Sequence, residues 1–193
     1  NISSNKKYGI EIYYSSYNMI SNCNIYSNLV GILISLSSNN TIFECNIYSN
    51  QLDGVTLNLI GNVTRNAIFS LMASMASGFL IPQKVDKNCS IYSNNWGIRF
   101  DYSHNNTISY CNIYLNNAEG ICSHRSCDNV IYHNNIYGNI NYGVYNYDSE
   151  TNYTINASGN WWGATDGPSG IGYGSGDNVS QNVIFEPWLT KKI

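Results

Sequence analysis

The chain has 193 residues, a net charge of −3 and only 11% charged residues, where an ordinary globular protein carries roughly 25%. Nine Lys and Arg spread along the whole length leave no basic footprint for nucleic acid or an anionic membrane surface. A hydrophobic fraction of 43% and 17 Tyr exclude a solvated disordered tail, and 32 Asn and 24 Ser take the place of charge.

The first residue is Asn1, not Met, and is read as the start of a mature or excised segment. The first element, YGIEIYY at 8–14, is an alternating apolar run of the kind that forms strands. NCNIYSN at 22–28 follows, and returns as ECNIYSN at 44–50, NCSIYSN at 88–94, YCNIYLN at 110–116 and HNNIYGN at 133–139. The Ile of each copy (Ile25, Ile47, Ile91, Ile113, Ile136) recurs every 22 or 23 residues, with one doubled gap of 44. A second register, a glycine followed by Ile or Val, begins at Gly9, Gly31, Gly54, Gly97, Gly120 and Gly143. A third, Asn-x-Ile, ends at Ile20, Ile42, Ile108 and Ile131. Each unit is thus three short β-branched or aromatic runs divided by Asn, Ser and Gly, a strand–turn pattern with no run long enough for a helix.

At ~3.3 Å per residue, such a unit traces roughly 70 Å, enough for one triangular coil of a parallel β-helix whose coils stack at ~4.8 Å. About seven coils are expected over 1–158, followed by a capping segment of the same domain at 159–193. The doubled gap, with 69–87 at its centre, reads as a degenerate coil or an insertion. Its apolar window at 67–82 is shorter than the ~20 residues of a membrane span.

Stacked coils assign roles to columns. The repeat isoleucines and the Gly-Ile/Val residues face inward, and Cys23, Cys45, Cys89 and Cys111 form an inward stack of small side chains. Asn28, Asn94 and Asn116 turn corners, as residues that tolerate left-handed backbone and bond amide to amide between coils. Alternation puts Tyr26, Tyr48, Tyr92, Tyr114 and Tyr137 outside, either as a stack that stiffens the sheet or as a platform for sugar rings.

Ionisable groups are sparse. Asp101, His124 and Arg125 are the compact candidates for catalysis, since Asp101 stands one repeat below His124. Cys122, His124 and Cys127 are candidate Zn or Cu ligands, although their spacing matches no standard metal motif, and Cys122 and Cys127 are also a candidate local disulfide. No cofactor is expected beyond a candidate Ca²⁺ or other metal ion. Asn-x-Ser/Thr sequons at Asn1, Asn39, Asn62, Asn88, Asn105, Asn152, Asn156 and Asn178 are glycosylation candidates.

After Tyr153 the period stops. Six glycines between 163 and 176 shape a long loop, and Trp161, Trp162, Phe185, Pro187 and Trp188 supply bulk to cover the last coil. The repeat Asn-x-Ile…Cys-Asn-Ile-Tyr-x-Asn…Gly-Ile resembles the right-handed parallel β-helix repeat proteins of the pectate-lyase-like superfamily. The ending Asn160-Trp161-Trp162-Gly163, Gly167-Pro168, Gly176-Asp177 and Pro187-Trp188-Leu189 resembles the terminal segment of exported prokaryotic members. The resemblance implies an all-β solenoid and an extracellular or cell-surface setting. It does not specify function, because relatives include lyases, hydrolases, epimerases, a copper-enzyme maturation protein, adhesins and surface-layer components, and no enzyme family's catalytic motif maps onto this sequence residue by residue.

The expectation is a non-catalytic structural, assembly or adhesin-like module whose partners are polysaccharide or cell-surface components. The alternatives are a polysaccharide lyase or glycoside hydrolase, and an exported metal-handling protein. The N-terminal coil has no capping helix before it, so end-to-end self-association is a further expectation. Nucleic-acid binding and membrane insertion are not expected.

Overall fold

The computed structural model describes residues 1–58, 70–71, 89–148 and 153–193. Strands follow in triplets: β1 (Ile2–Ser3), β2 (Tyr8–Tyr13), β3 (Met19–Ser21); β4 (Asn24–Tyr26), β5 (Val30–Ser35), β6 (Thr41–Phe43); β7 (Asn46–Tyr48), β8 (Asp53–Asn58), β9 (Ser70–Leu71). The second half repeats this with β10 (Ser90–Tyr92), β11 (Trp96–Asp101), β12 (Thr107–Ser109); β13 (Asn112–Tyr114), β14 (Ile121–His124), β15 (Val130–Tyr132); β16 (Asn135–Tyr137), β17 (Val144–Asn146), β18 (Ile155–Asn156). β19 (Pro168–Gly170), β20 (Gly176–Val179) and β21 (Val183–Ile184) close the chain. Every third strand pairs in parallel, giving sheet A (β1-β4-β7-β10-β13-β16), sheet B (β2-β5-β8-β11-β14-β17-β20-β19) and sheet C (β3-β6-β9-β12-β15-β18-β21). The architecture is a right-handed parallel β-helix.

The registers match the repeat. Ile25, Ile47, Ile91, Ile113 and Ile136 stand over one another in sheet A, and Ile10, Ile32, Val55, Ile98, Ile121 and Val144 in sheet B. Apart from half-buried Ile10, all are fully buried. At about 1.5–3 kcal/mol each, such columns hold the solenoid together.

Among the described residues of 1–158 there are six triplets, where about seven coils were expected. The reason is the doubled gap. β7 pairs directly with β10, and β8 with β11. Its described part, β9, pairs with β6 and β12 in sheet C. The remaining residues of 69–87 lie outside the described residues.

The corners differ from expectation in one respect. The left-handed residues are Ser27, Ser49, Ser93, Leu115 and Gly138, each one place before the ladder asparagine. The asparagines are buried instead. Asn50 Nδ2 donates to Asn94 Oδ1 at 3.0 Å, Asn94 Nδ2 to Asn116 Oδ1 at 3.3 Å, and Asn116 Nδ2 to Asn139 Oδ1 at 2.8 Å. Asp177 ends this ladder, accepting from Asn139 Nδ2 at 2.8 Å and from Gly138 N–H at 2.6 Å. The ladder also explains the glycine register: a Cβ at Gly97 would lie 2.4 Å from Gly120 O and 2.9 Å from Asn116 Nδ2.

The segment from 159 onward continues the stack. β20 pairs with β17, and β21 with β18. Trp162 is fully buried in the same core as Val179 and Val183, while Phe185 and Trp188 are partly buried against it.

Candidate functional site

The outer faces of sheets A and B are built differently. On sheet A, the tyrosines of the repeat form one continuous stack. Ring centroids are 5.1 Å apart for Tyr26–Tyr48, 5.1 Å for Tyr48–Tyr92, 4.9 Å for Tyr92–Tyr114 and 5.1 Å for Tyr114–Tyr137, all within 15° of parallel. Trp161 covers the far side of Tyr137, with Lys192 Nζ 4.4 Å from the Tyr137 ring centre. The inner rings therefore have both faces occupied and offer edges and hydroxyls outward, which is poor geometry for stacking a sugar ring.

Sheet B is different. Its strands are longer, six residues in β2, β5, β8 and β11, so three outward columns fit across it. The column one place before each register glycine reads Tyr8, Val30, Asp53, Trp96, Glu119, Tyr142; two places after, Glu11, Leu33, Thr56, Arg99, Cys122, Tyr145. Four places after, it reads Tyr13, Ser35, Asn58, Asp101, His124, Tyr147. Inward residues repeat, and these do not.

A cleft of about 280 Å³ opens here, lined by Trp96, Arg99, Cys122, His124 and Tyr147, with Phe100 at its floor. At one edge Trp96 Nε1 donates to Glu119 Oε2 at 2.5 Å, fixing the indole. The Arg99 guanidinium lies 5.5 Å from the Trp96 ring centre and 3.9 Å from Asp101 Oδ2. At the other edge His124 Nδ1 is 2.9 Å from Asp101 Oδ1. An ionised carboxylate only accepts, so His124 Nδ1 is the donor in this pair, and Nε2 is the ring nitrogen that Asp101 does not engage. Two further hollows of about 390 Å³ adjoin the cleft and share Tyr142, Tyr145 and Tyr147. These rings meet at 48° and 85°, not in parallel.

Asp53 is 5% exposed, and only its Oδ2 has a partner, the Thr56 hydroxyl. Burial pushes its carboxyl above the ordinary range, against the opposing pull of Thr56 and Arg99. Direct stacking of β8 on β11 sets Asp53 under Trp96 and Thr56 under Arg99.

The structure thus brings together two members of the candidate catalytic trio and separates the third. Arg125 follows β14 in a left-handed corner, φ 47°, which turns it off the face. Its guanidinium donates to Tyr102 Oη at 2.6 Å and lies 5.5 Å from that ring centre. Arg99 occupies the position proposed for it. The candidate metal trio also parts. Cys122 and His124 line the cleft, but Cys127 sits at the next corner, 3.0 Å from His104 Nδ1. Among the described residues no three His, Cys, Asp or Glu side chains converge as metal ligands. All six cysteines, Cys122 and Cys127 included, are free thiols, so the candidate disulfide is absent. Burial raises the thiols of Cys45 to about 12 and of Cys127 to about 11, which leaves them protonated and inert at neutral pH.

Among the sequons, Asn1, Asn105 and Asn156 are exposed, and Asn39 and Asn178 are half-buried. Asn62, Asn88 and Asn152 lie outside the described residues. Trp96, Arg99 and Tyr147 are not marked by anything in their own spacing, while Glu119, like Asp53, stands one place before a register glycine. Their signal is variation in columns whose inward neighbours are constant.

The sequence matches the family model for a right-handed β-helix region over residues 1–81 and again over 82–161. No curated protein matches it. Among solved structures it is similar to the periplasmic alginate epimerase AlgG, with a TM-score of 0.69 and 20% identity over 97% of this chain and 42% of that one. A double-mutant form of AlgG gives 0.70 and 21%, over 97% and 43%. The chain therefore spans less than half the length of these structures.

Proposed function

This chain belongs to the right-handed β-helix family, and on that premise we propose that it is an exported polysaccharide-binding protein whose ligand lies along sheet B. The observation that carries this reading is the Trp96–Tyr147 cleft. Flat aromatic groups with available faces, beside fixed hydrogen-bonding side chains, are what a pyranose ring uses: its C–H face packs on the aromatic surface and its hydroxyls pair with polar groups. The likeness to AlgG, whose name states that it acts on alginate, supports a carbohydrate ligand. Its periplasmic location supports export, and no helix among the described residues is long and apolar enough to cross a membrane.

Retention in affinity electrophoresis through gels containing polysaccharide tests the reading. Trp96→Ala plus Tyr147→Ala is expected to abolish retention, whereas Tyr48→Ala plus Tyr114→Ala leaves it intact. The reverse pattern would move the ligand to sheet A.

A second reading is favoured by one observation, the Asp101–His124 hydrogen bond at the mouth of the cleft. A carboxylate that orients an imidazole leaves Nε2 poised to take a proton from a bound sugar, the arrangement of a general base. In that case the protein is a carbohydrate-active enzyme. His124→Ala would then abolish product formation on a polymer that the variant still binds.

A further inference from the structure

The charges around the cleft point to the class of polysaccharide, an inference that rests on the carbohydrate reading above. We infer that sheet B selects an uncharged or cationic polysaccharide and rejects a polyanionic one.

Glu119 and Asp148 line the hollows that adjoin the cleft, Asp101 stands behind the cleft residues Arg99 and His124 as their partner, and Asp53 is buried beneath Trp96. Against them, the described cation lining the cleft is Arg99. That guanidinium is already shared between the Trp96 ring and Asp101. Arg125, turned off the face by its corner, spends its side chain on Tyr102, while its backbone N–H donates to Asp148 at 2.5 Å. His124 turns its protonated nitrogen to Asp101.

A polyuronate would bring one carboxylate per sugar into this setting. Neighbouring coils are separated by about 4.8 Å, inside the ~8 Å over which salt screens at physiological strength, so like charges would repel along the whole cleft. Hydroxyl and ammonium donors meet the opposite situation. The carboxylates of Asp101, Glu119 and Asp148 accept hydrogen bonds. The rings of Trp96, Tyr142, Tyr145 and Tyr147 attract the C–H face of an uncharged pyranose and the ammonium of an amino sugar alike.

The test is binding of the full chain, at low salt, to a neutral β-glucan, to chitosan oligomers and to polygalacturonate. The neutral or amino polymer is expected to bind at least about tenfold more tightly than polygalacturonate, because opposed charge suppresses wrong partners. Asp101→Asn plus Glu119→Gln, with folding checked by circular dichroism, is expected to narrow that gap by weakening chitosan and strengthening polygalacturonate. Polygalacturonate binding as tight as the others, and lost in Arg99→Ala, would overturn the inference and leave the carbohydrate reading standing. Binding of none of the three would remove both.

Discussion

Sheets A and B are wound from the same repeat and share one core, yet their outer faces are built on opposite rules. On sheet A each coil contributes the same tyrosine, and the rings satisfy one another along the whole stack. On sheet B the outward columns change from coil to coil, and their side chains are aromatic, acidic, basic and thiol in turn. In-register stacking makes a repeated side chain its own neighbour, which consumes its binding capacity. A residue that departs from the repeat has no such twin and pairs with unlike neighbours instead, Trp96 with Glu119 and Arg99, and Asp101 with His124, which leaves an uneven, cleft-forming surface. In this molecule repetition marks structure and variation marks the candidate site.

The comparison breaks most readily in the ladder that both sheets lean on. Asn94→Ala removes the acceptor of two Asn50 donors, its backbone N–H and Nδ2, and the donor to Ile47 O. With buried groups left unpaired at roughly 1–3 kcal/mol each, the cost is about 3–5 kcal/mol in urea unfolding. A loss below about 1 kcal/mol would show that water replaces the ladder without penalty. Ile98→Ala empties one site of the sheet B core column and should cost about 3 kcal/mol.

Tyr92→Ala is smaller and separates the two faces directly. It deletes two stacked pairs, worth about 1–2 kcal/mol together, and is expected to leave polysaccharide retention unchanged. Weakened retention would mean that the sheet A stack also meets ligand.

The smallest effect is on sheet B. Burial raises the Asp53 carboxyl above its unfolded value of 3.8, so the folded chain holds this proton more tightly than the unfolded one. The associated stability is fully present below pH 3.8 and declines as pH rises through the raised value. Asp53→Asn removes that decline. Thermal melts should show the variant gaining on wild type at neutral pH and losing that gain in acid; an equal difference at both would exclude Asp53 as the titrating group.

Much of this was legible in the residues. Three registers of one period predict the β-helix, and the inward isoleucines, outward tyrosines and Asn–Asn bonds stand where that period sets them. Asp101 and His124 were legible too, since 23 residues separate stacked neighbours. Arg125 was not. Adjacency in sequence suggested that it shares a face with His124, but the chain turns at that residue and the side chain leaves with the corner. Arg99 takes its place because alternation along β11 puts it on the same face as Asp101.

By itself the sequence determined the coil, because a 22–23-residue period admits few ways to bury its apolar positions, and each column repeats the same choice. Only the tertiary structure decided which coils touch. The spacing of 43 from Gly54 to Gly97 counts as two periods in the chain but as one step in sheet B. Strand pairing requires only that backbone edges meet in register, not that equal lengths of chain join them. That single step sets Asp53 and Thr56 beneath Trp96 and Arg99, two coils from Glu119, whereas the cleft itself is lined by coils that follow the regular 23-residue spacing.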